Sequence, residues 1–175
     1  MQKLPVYIFT GFLEGGKTTI IQESLNDQNF NSGEKTLLLL CEEGIEELNP
    51  SAFWGKNVTI HIIENESDLT QEHLLSITKG KKIDRIIIEY NGMWPLENFF
   101  KAMPEGWLIN QIMTFFDAST FLNYNANMRQ LVFDKIENTQ LVVFNRFDES
   151  MDKMAFHKVV RGITRRADIV YESAD

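Results

Sequence analysis

Short apolar, strand-favouring runs punctuate the chain at Val6–Phe9, Leu37–Leu40, Val58–Ile63, Ile83–Ile88, Ile112–Phe116, Leu141–Phe144 and Ile169–Tyr171. Most lack the polar alternation of a half-exposed strand, so they predict strands covered on both faces. The stretches between them carry helical periodicity: Lys17–Leu25, Leu69–Lys79, Ser119–Ile136, and a last helix bearing Met151, Met154, Ala155, Val159 and Ile163. Asp68 followed by Gln71 three residues on reads as a capping box for the second helix. In the third, Leu122, Met128, Leu131, Val132 and Ile136 fall near one face. Strands alternating with helices imply right-handed βαβ units, hence a three-layer α/β fold with a mainly parallel sheet flanked by helices.

No fixed-period repeat and no Pro/Gly/Ser linker divides the chain, so residues 1–175 are read as one domain. The segment Cys41–Asn57 has the weakest pattern, with Glu42, Glu43, Glu46, Glu47, Gly44 and Pro50, and is expected to be an acidic loop. An apolar share of 43% with 11% aromatics is that of a globular protein. Lys plus Arg total 17 against 25 for Asp plus Glu, a net charge of −8, which argues against nucleic acid or an anionic membrane as partner. No apolar run approaches the roughly 18 residues of a membrane span. The single cysteine, Cys41, cannot form an internal disulfide, so a reducing, cytoplasmic setting is the expectation.

The strongest chemical signal is Gly11-Phe-Leu-Glu-Gly15-Gly16-Lys17-Thr18, which satisfies G-x-x-x-x-G-K-S/T between an apolar strand and a helix. Gly11, Gly15 and Gly16 let backbone N–H groups curl around phosphate oxygens, and the helix N-terminus adds positive potential. Lys17 would reach the β- and γ-phosphates. Thr18 would ligate Mg²⁺ through its hydroxyl, with Thr19 beside it in the nucleotide site. The plain alternative is a glycine-rich turn that holds nothing.

A second signal, Ile86-Ile-Ile-Glu89-Tyr-Asn-Gly92, ends a buried strand in a carboxylate that can hold Mg²⁺ or polarise an attacking water. Gly92 would offer its N–H to the γ-phosphate. A third, Asn145-Arg146-Phe-Asp148, is spaced like the guanine-reading N-K/R-x-D. Asp148 can accept two hydrogen bonds from guanine, a pairing adenine cannot offer, which favours GTP over ATP. Asn145 would tie this loop to the phosphate loop, and the Arg146 stem would lie along the base. A turn asparagine with a helix-capping aspartate is the competing reading.

Together, Val6–Ile20, the Glu42/Gly44 loop, Asp84–Pro95, the strand ending at Asp117 and Asn145–Asp148 resemble the CobW-type GTPases, in the P-loop class that includes the hydrogenase and urease nickel-insertion GTPases. The resemblance covers nearly the whole chain. It implies a GTP-dependent metallochaperone or metal-insertion domain that cycles between GTP and GDP. Glu89 stands where other GTPases carry aspartate, and Glu42 would lie near the magnesium. It implies a client metalloprotein or effector as partner, and a homodimer facing across bound nucleotide. The family also continues into a separate C-terminal domain, and the expectation for residues 1–175 is the G domain alone. The family's C-x-C-C motif, expected near His61–Asp68, has no cysteine here, so a thiolate zinc or cobalt site is missing. Cys41, His61, Glu42 and Glu43 are the remaining candidates for a transition metal, against the reading of Cys41 as a small core residue. Glu14 places a carboxylate in the phosphate loop, and Tyr90 and Asn91 replace the family's small hydroxyl residues.

The functional expectation is slow GTP hydrolysis with Mg²⁺. Its rival is a nucleotide-dependent binding module with little or no hydrolysis. A small-molecule kinase is a weaker rival, since no arginine-rich lid is evident. Arg161, Arg165 and Arg166 read as cations complementing the last helix's C-terminus, and His73 and His157 as solvated helix residues.

Overall fold

A computed structural model describes residues 3–12, 16–41 and 57–173. The strands are β1 (Leu4–Gly11), β2 (Thr36–Leu40), β3 (Val58–Ile62), β4 (Arg85–Glu89), β5 (Trp107–Asp117), β6 (Leu141–Phe147) and β7 (Asp168–Ser173). The helices are α1 (Lys17–Asn26), α2 (Gln71–Thr78), α3 (Leu96–Ala102), α4 (Ala118–Asn127), α5 (Arg129–Glu137) and α6 (Lys153–Ile163), with a short 3₁₀ turn at Glu66–Asp68. The strands form one seven-stranded sheet in the order β3-β2-β4-β1-β5-β6-β7, and every neighbouring pair is parallel. The expected α/β architecture is borne out, with each apolar run overlapping a strand, although Ile63 and Ile83 fall just outside β3 and β4.

Alternate residues of the strands feed two faces. Val6, Ile8, Leu37 and Leu39 pack with Leu74, Ile77, Leu96 and Phe99 from α2 and α3. Farther along the same face, Phe116, Val142 and Phe144 pack with Phe121, Val132, Phe156 and Val160 from α4, α5 and α6. Phe9, Leu38, Leu40, Ile87, Phe115 and Val143 point the other way, where Ile21 and Leu25 of α1 cover them. Since β1 sits centrally, its C-terminal end meets loops arriving from both directions. In open parallel sheets this crevice is where ligands bind.

Local structure departs from the pattern in three places. The residues expected to form one helix over Ser119–Ile136 form two, broken at Met128 with φ −132° and ψ 48°. Asparagines precede the break, and the Asn127 side chain donates to the Asn123 carbonyl at 2.9 Å, a local competition that makes asparagine a weak helix former. Leu122 is accordingly exposed rather than on the buried face. The cap of α2 is Thr70, which accepts from the His73 N–H at 3.1 Å, while Asp68 belongs to the 3₁₀ turn. Helix α3, with Leu96, Phe99 and Ala102 buried, has no counterpart among the expected helices. No described helix is long and apolar enough to cross a membrane.

Candidate functional site

Strand β1 ends at Gly11, whose φ of 132° favours glycine. A Cβ there would run into the Phe115 backbone on β5, so only glycine lets the chain leave the sheet at this point. Gly16, with φ 92°, turns the chain into α1. A Cβ on Gly16 would stand 2.6 Å from Asn145 Nδ2, which brings the first residue of the Asn145–Asp148 run against the glycine loop. Leu13, Glu14 and Gly15 lie outside the described residues, as does Glu42.

Lys17 opens α1 with its side chain buried. Its ammonium donates to the Gly11 carbonyl at 2.6 Å and reaches the Tyr90 carbonyl at 3.4 Å. The cation thus spans the loop from its far end back to its start. Thr18 Oγ1 donates to Glu89 Oε1 at 2.7 Å, joining the two side chains expected to share Mg²⁺. Glu89 is buried at the end of β4, opposite Phe9 of β1. Thr19 is exposed on α1.

Beyond Glu89, Tyr90 is buried and its hydroxyl donates to the Pro95 carbonyl at 2.8 Å. Burial holds the phenol far above its ordinary pKa, with smaller contributions from Cys41, Glu66 and Asp134. Tyr90 is therefore a structural anchor of this loop rather than a small switch hydroxyl. Gly92 follows, and a Cβ there would collide with the Gly11 carbonyl oxygen and press on Phe12 Cα. The loops after β1 and β4 thus touch backbone to backbone.

On the other side, Asn145 of β6 lies opposite Asp117 of β5. Arg146 adopts a positive φ of 56°, and its guanidinium is held by Asp117 Oδ2 at 2.7 Å. Phe147 is buried against Phe156 and Tyr171, which fixes the loop while Asp148 stays exposed. Asp148 Oδ1 accepts from the Ser150 N–H at 2.8 Å, and this holds its carboxyl below the usual aspartate range. The cap of α6 is Asp152, so Asp148 is not consumed as a helix cap.

Asp117 is a positioning residue that sequence reasoning passed over as a strand end. It accepts from the Ser119 N–H at 2.9 Å and hydroxyl at 2.6 Å, capping α4 while it grips Arg146. Burial pushes its carboxyl up, but the Ser119 and Arg146 hydrogen bonds outweigh it and hold the pKa below the ordinary value. Asp117→Ala is expected to cost about 1–2 kcal/mol and Asp117→Asn, still a competent cap, about half that. A folded-state pKa lower than the unfolded one means this stability is present above about pH 4 and lost as pH falls through the folded value. Urea unfolding of both variants at pH 7 and near pH 3.5 checks this, with the cost of Asp117→Ala shrinking at the lower pH.

The proposed metal group does not assemble as a set. Cys41 is buried in the core beneath α2 and α3, Glu42 and Glu43 lie outside the described residues, and His61 instead meets His73, Nε2 to Nε2, at 3.1 Å. His73 is therefore not simply solvated, whereas His157 is exposed. Among the described residues no group of three or more His, Cys, Asp or Glu could hold a metal. Trp107 is buried at the start of β5. Arg161 donates to the Ala167 carbonyl at 2.7 Å, just past the end of α6.

A parallel sheet with a glycine loop, a Lys-Thr helix start and an acidic strand end gathered at one edge defines a P-loop nucleotide-binding domain. The family model for the CobW/HypB/UreG nucleotide-binding domain matches residues 5–171, and the chain belongs to this family. No curated protein matches it. Among solved structures it is similar to the Zn(II)-bound YjiA GTPase from E. coli, 20% identical over 97% of this chain and 57% of that one, with a TM-score of 0.67. It is also similar to the hydrogenase maturation factor HypB from Archaeoglobus fulgidus, at 14% identity over 97% and 81% with TM-score 0.64. HypB from Helicobacter pylori in complex with nickel gives 15% identity over 98% and 80%, with TM-score 0.63. The chain thus spans less than three fifths of YjiA's length.

Proposed function

We propose that this chain is a GTP-binding switch domain that hydrolyses GTP slowly with Mg²⁺ and couples that cycle to a client metalloprotein or effector. The observation that carries the reading is the 2.7 Å bond between Thr18 Oγ1 and Glu89 Oε1, made beside the Lys17 ammonium that closes the glycine loop. Two hard oxygen donors at the mouth of a phosphate loop suit Mg²⁺, which takes oxygen ligands and keeps several waters. Thr18 and Glu89 are the residues that would hold it, and Glu42 belongs to the same proposal. When bound, the ion would neutralise charge on the β- and γ-phosphate oxygens.

Within this reading the protein's own residues divide the work. Lys17 exchanges its bond to the Gly11 carbonyl for phosphate oxygens. The backbone N–H of Gly16, with Thr19 on the first turn of α1, lines the phosphates, and Gly15 belongs to the same proposal. Gly92, lodged against Gly11, offers its N–H to the γ-phosphate, and the Glu89 end of β4 orients the attacking water. That water's oxygen bonds the γ-phosphorus as the bond from phosphorus to the β–γ bridging oxygen breaks, giving GDP and inorganic phosphate. Asn145 braces the phosphate loop, Arg146 is steadied by Asp117 along the base, and Asp148 reads guanine.

Arg146 is the arginine on these loops among the described residues, and Asp117 already holds it. Stabilisation of the transition-state charge would then come from a partner, which keeps basal turnover low. The zinc of the YjiA structure and the nickel of the HypB structure belong to those proteins. For this chain, a metal-assembly role rests on family membership. A single domain, a cytoplasmic setting and pairing of two copies across the nucleotide are parts of the same proposal.

Phosphate release from GTP and from ATP, each with Mg²⁺, tests the reading. Release from GTP on the order of 10⁻³ s⁻¹ or slower is expected, with ATP turned over far more slowly. Asp148→Asn is expected to cut the preference for GTP by one to two orders of magnitude. Equal use of both nucleotides by the unaltered protein would contradict the base assignment, and tight GTP binding with no release would leave the binding-module reading in place of the enzyme.

A further inference from the structure

His61 on β3 and His73 on the first turn of α2 come from two elements separated by the 3₁₀ turn, yet their Nε2 atoms lie 3.1 Å apart. Their rings are tilted by 43° with centroids 5.2 Å apart, so the imidazoles meet edge to edge through nitrogen rather than stacking. We propose that His61 and His73 form a two-histidine site for a divalent late transition ion of the zinc, nickel or copper kind, one that clips the edge strand β3 to helix α2.

Coordination geometry favours it. Two imidazole nitrogens at about 2.0–2.1 Å from one ion, at angles between square and tetrahedral, stand about 2.8–3.4 Å from each other. The observed separation falls inside that span, so an ion could enter with little ring movement. Both backbones are fixed in advance: His61 lies in register with Leu39 of β2, and the His73 N–H is held by the Thr70 cap. Neutral imidazole is the ligating form, and burial, then His73, then Lys81 depress the His61 pKa toward that form. Soft thiolates are not needed, because imidazole alone suits these ions.

Among the described residues no third His, Cys, Asp or Glu completes a larger group, so the remaining positions fall to water and the affinity should be micromolar rather than nanomolar. The nearby Lys81 charge lowers it further. A direct N–H···N bond between the rings explains the same distance without an ion, and is the outcome that stands against the proposal.

The site stands apart from the phosphate loop, so its test needs no nucleotide. The chain is titrated with zinc or nickel chloride by calorimetry, and histidine side-chain NMR follows the unaltered protein. One ion per chain at micromolar Kd is expected, with the Nε2 resonances of His61 and His73 moving together while those of His157 stay put. His61→Asn and His73→Asn should each weaken binding at least tenfold, and His157→Asn should leave it unchanged. Saturating metal should raise the unfolding temperature of the unaltered protein and not of the double variant. No binding at submillimolar metal, or binding that the double variant retains, would overturn the site. NMR shifts on the unaltered protein decide the matter even if a variant folds poorly.

Discussion

Lys17→Ala is expected to weaken GTP binding roughly 150- to 25,000-fold, the equivalent of two charge-assisted hydrogen bonds at about 1.5–3 kcal/mol each. The side chain is buried, and its ammonium already bonds a carbonyl at the start of the same loop, so the cation is positioned before any phosphate arrives. Little ordering entropy remains to be lost on binding. Removing the charge takes away the phosphate contacts and leaves the Gly11 carbonyl without that donor. Fluorescence titration with a labelled GTP, alongside far-UV circular dichroism to verify folding, measures the effect. A folded Lys17→Ala protein with unaltered affinity would remove this loop from the site.

Gly92→Ala is expected to act through shape alone. Its added methyl group would meet the Gly11 carbonyl oxygen and Phe12 Cα, both backbone atoms of the phosphate loop. Such atoms cannot swing aside as a flexible side chain could, so the two loops must separate. Overpacking of this kind costs about 1–3 kcal/mol. It also displaces the N–H proposed to meet the γ-phosphate. The expected signature is a selective loss, with GTP affinity falling at least tenfold while GDP affinity changes much less. Equal weakening of both nucleotides would place Gly92 away from the γ-phosphate.

The sheet was legible because its inner strands, β2 and β4 above all, are buried on both faces. Continuous apolar runs such as Leu37–Leu40 have no other comfortable environment than a parallel sheet covered by helices. The glycine loop was legible for a related reason, since Gly11 and Gly16 occupy backbone conformations and close approaches that other residues would strain. Helix α3 was not legible: its seven residues follow Pro95 and span too few turns to show a period. The break at Met128 was hidden because neither proline nor glycine marks it, and the asparagines before it act through side-chain competition. Asp117 and the His61–His73 pair depend on contacts between distant parts of the chain. The local signal at Asp117 was only a strand end followed by Ala-Ser, the pattern of a helix cap.

Asn145 gains its meaning from a contact. Its spacing to Asp148 suggested a base-reading loop, but the same spacing suits an ordinary turn. Contact with the Gly16 position adds what spacing lacked, by coupling that loop to the phosphate loop. The electrostatics add that Arg146 is steadied by Asp117, a pairing between β5 and β6 that four residues of sequence could not reveal.

Isothermal titration of the folded chain with GTP, GDP and ATP, each with Mg²⁺, tests the central claim most directly. One guanine nucleotide per chain is expected, with ATP bound at least a hundredfold more weakly and GTP binding lost in Lys17→Ala. Absence of any purine-nucleotide heat at millimolar concentration, from protein that unfolds cooperatively, would contradict it.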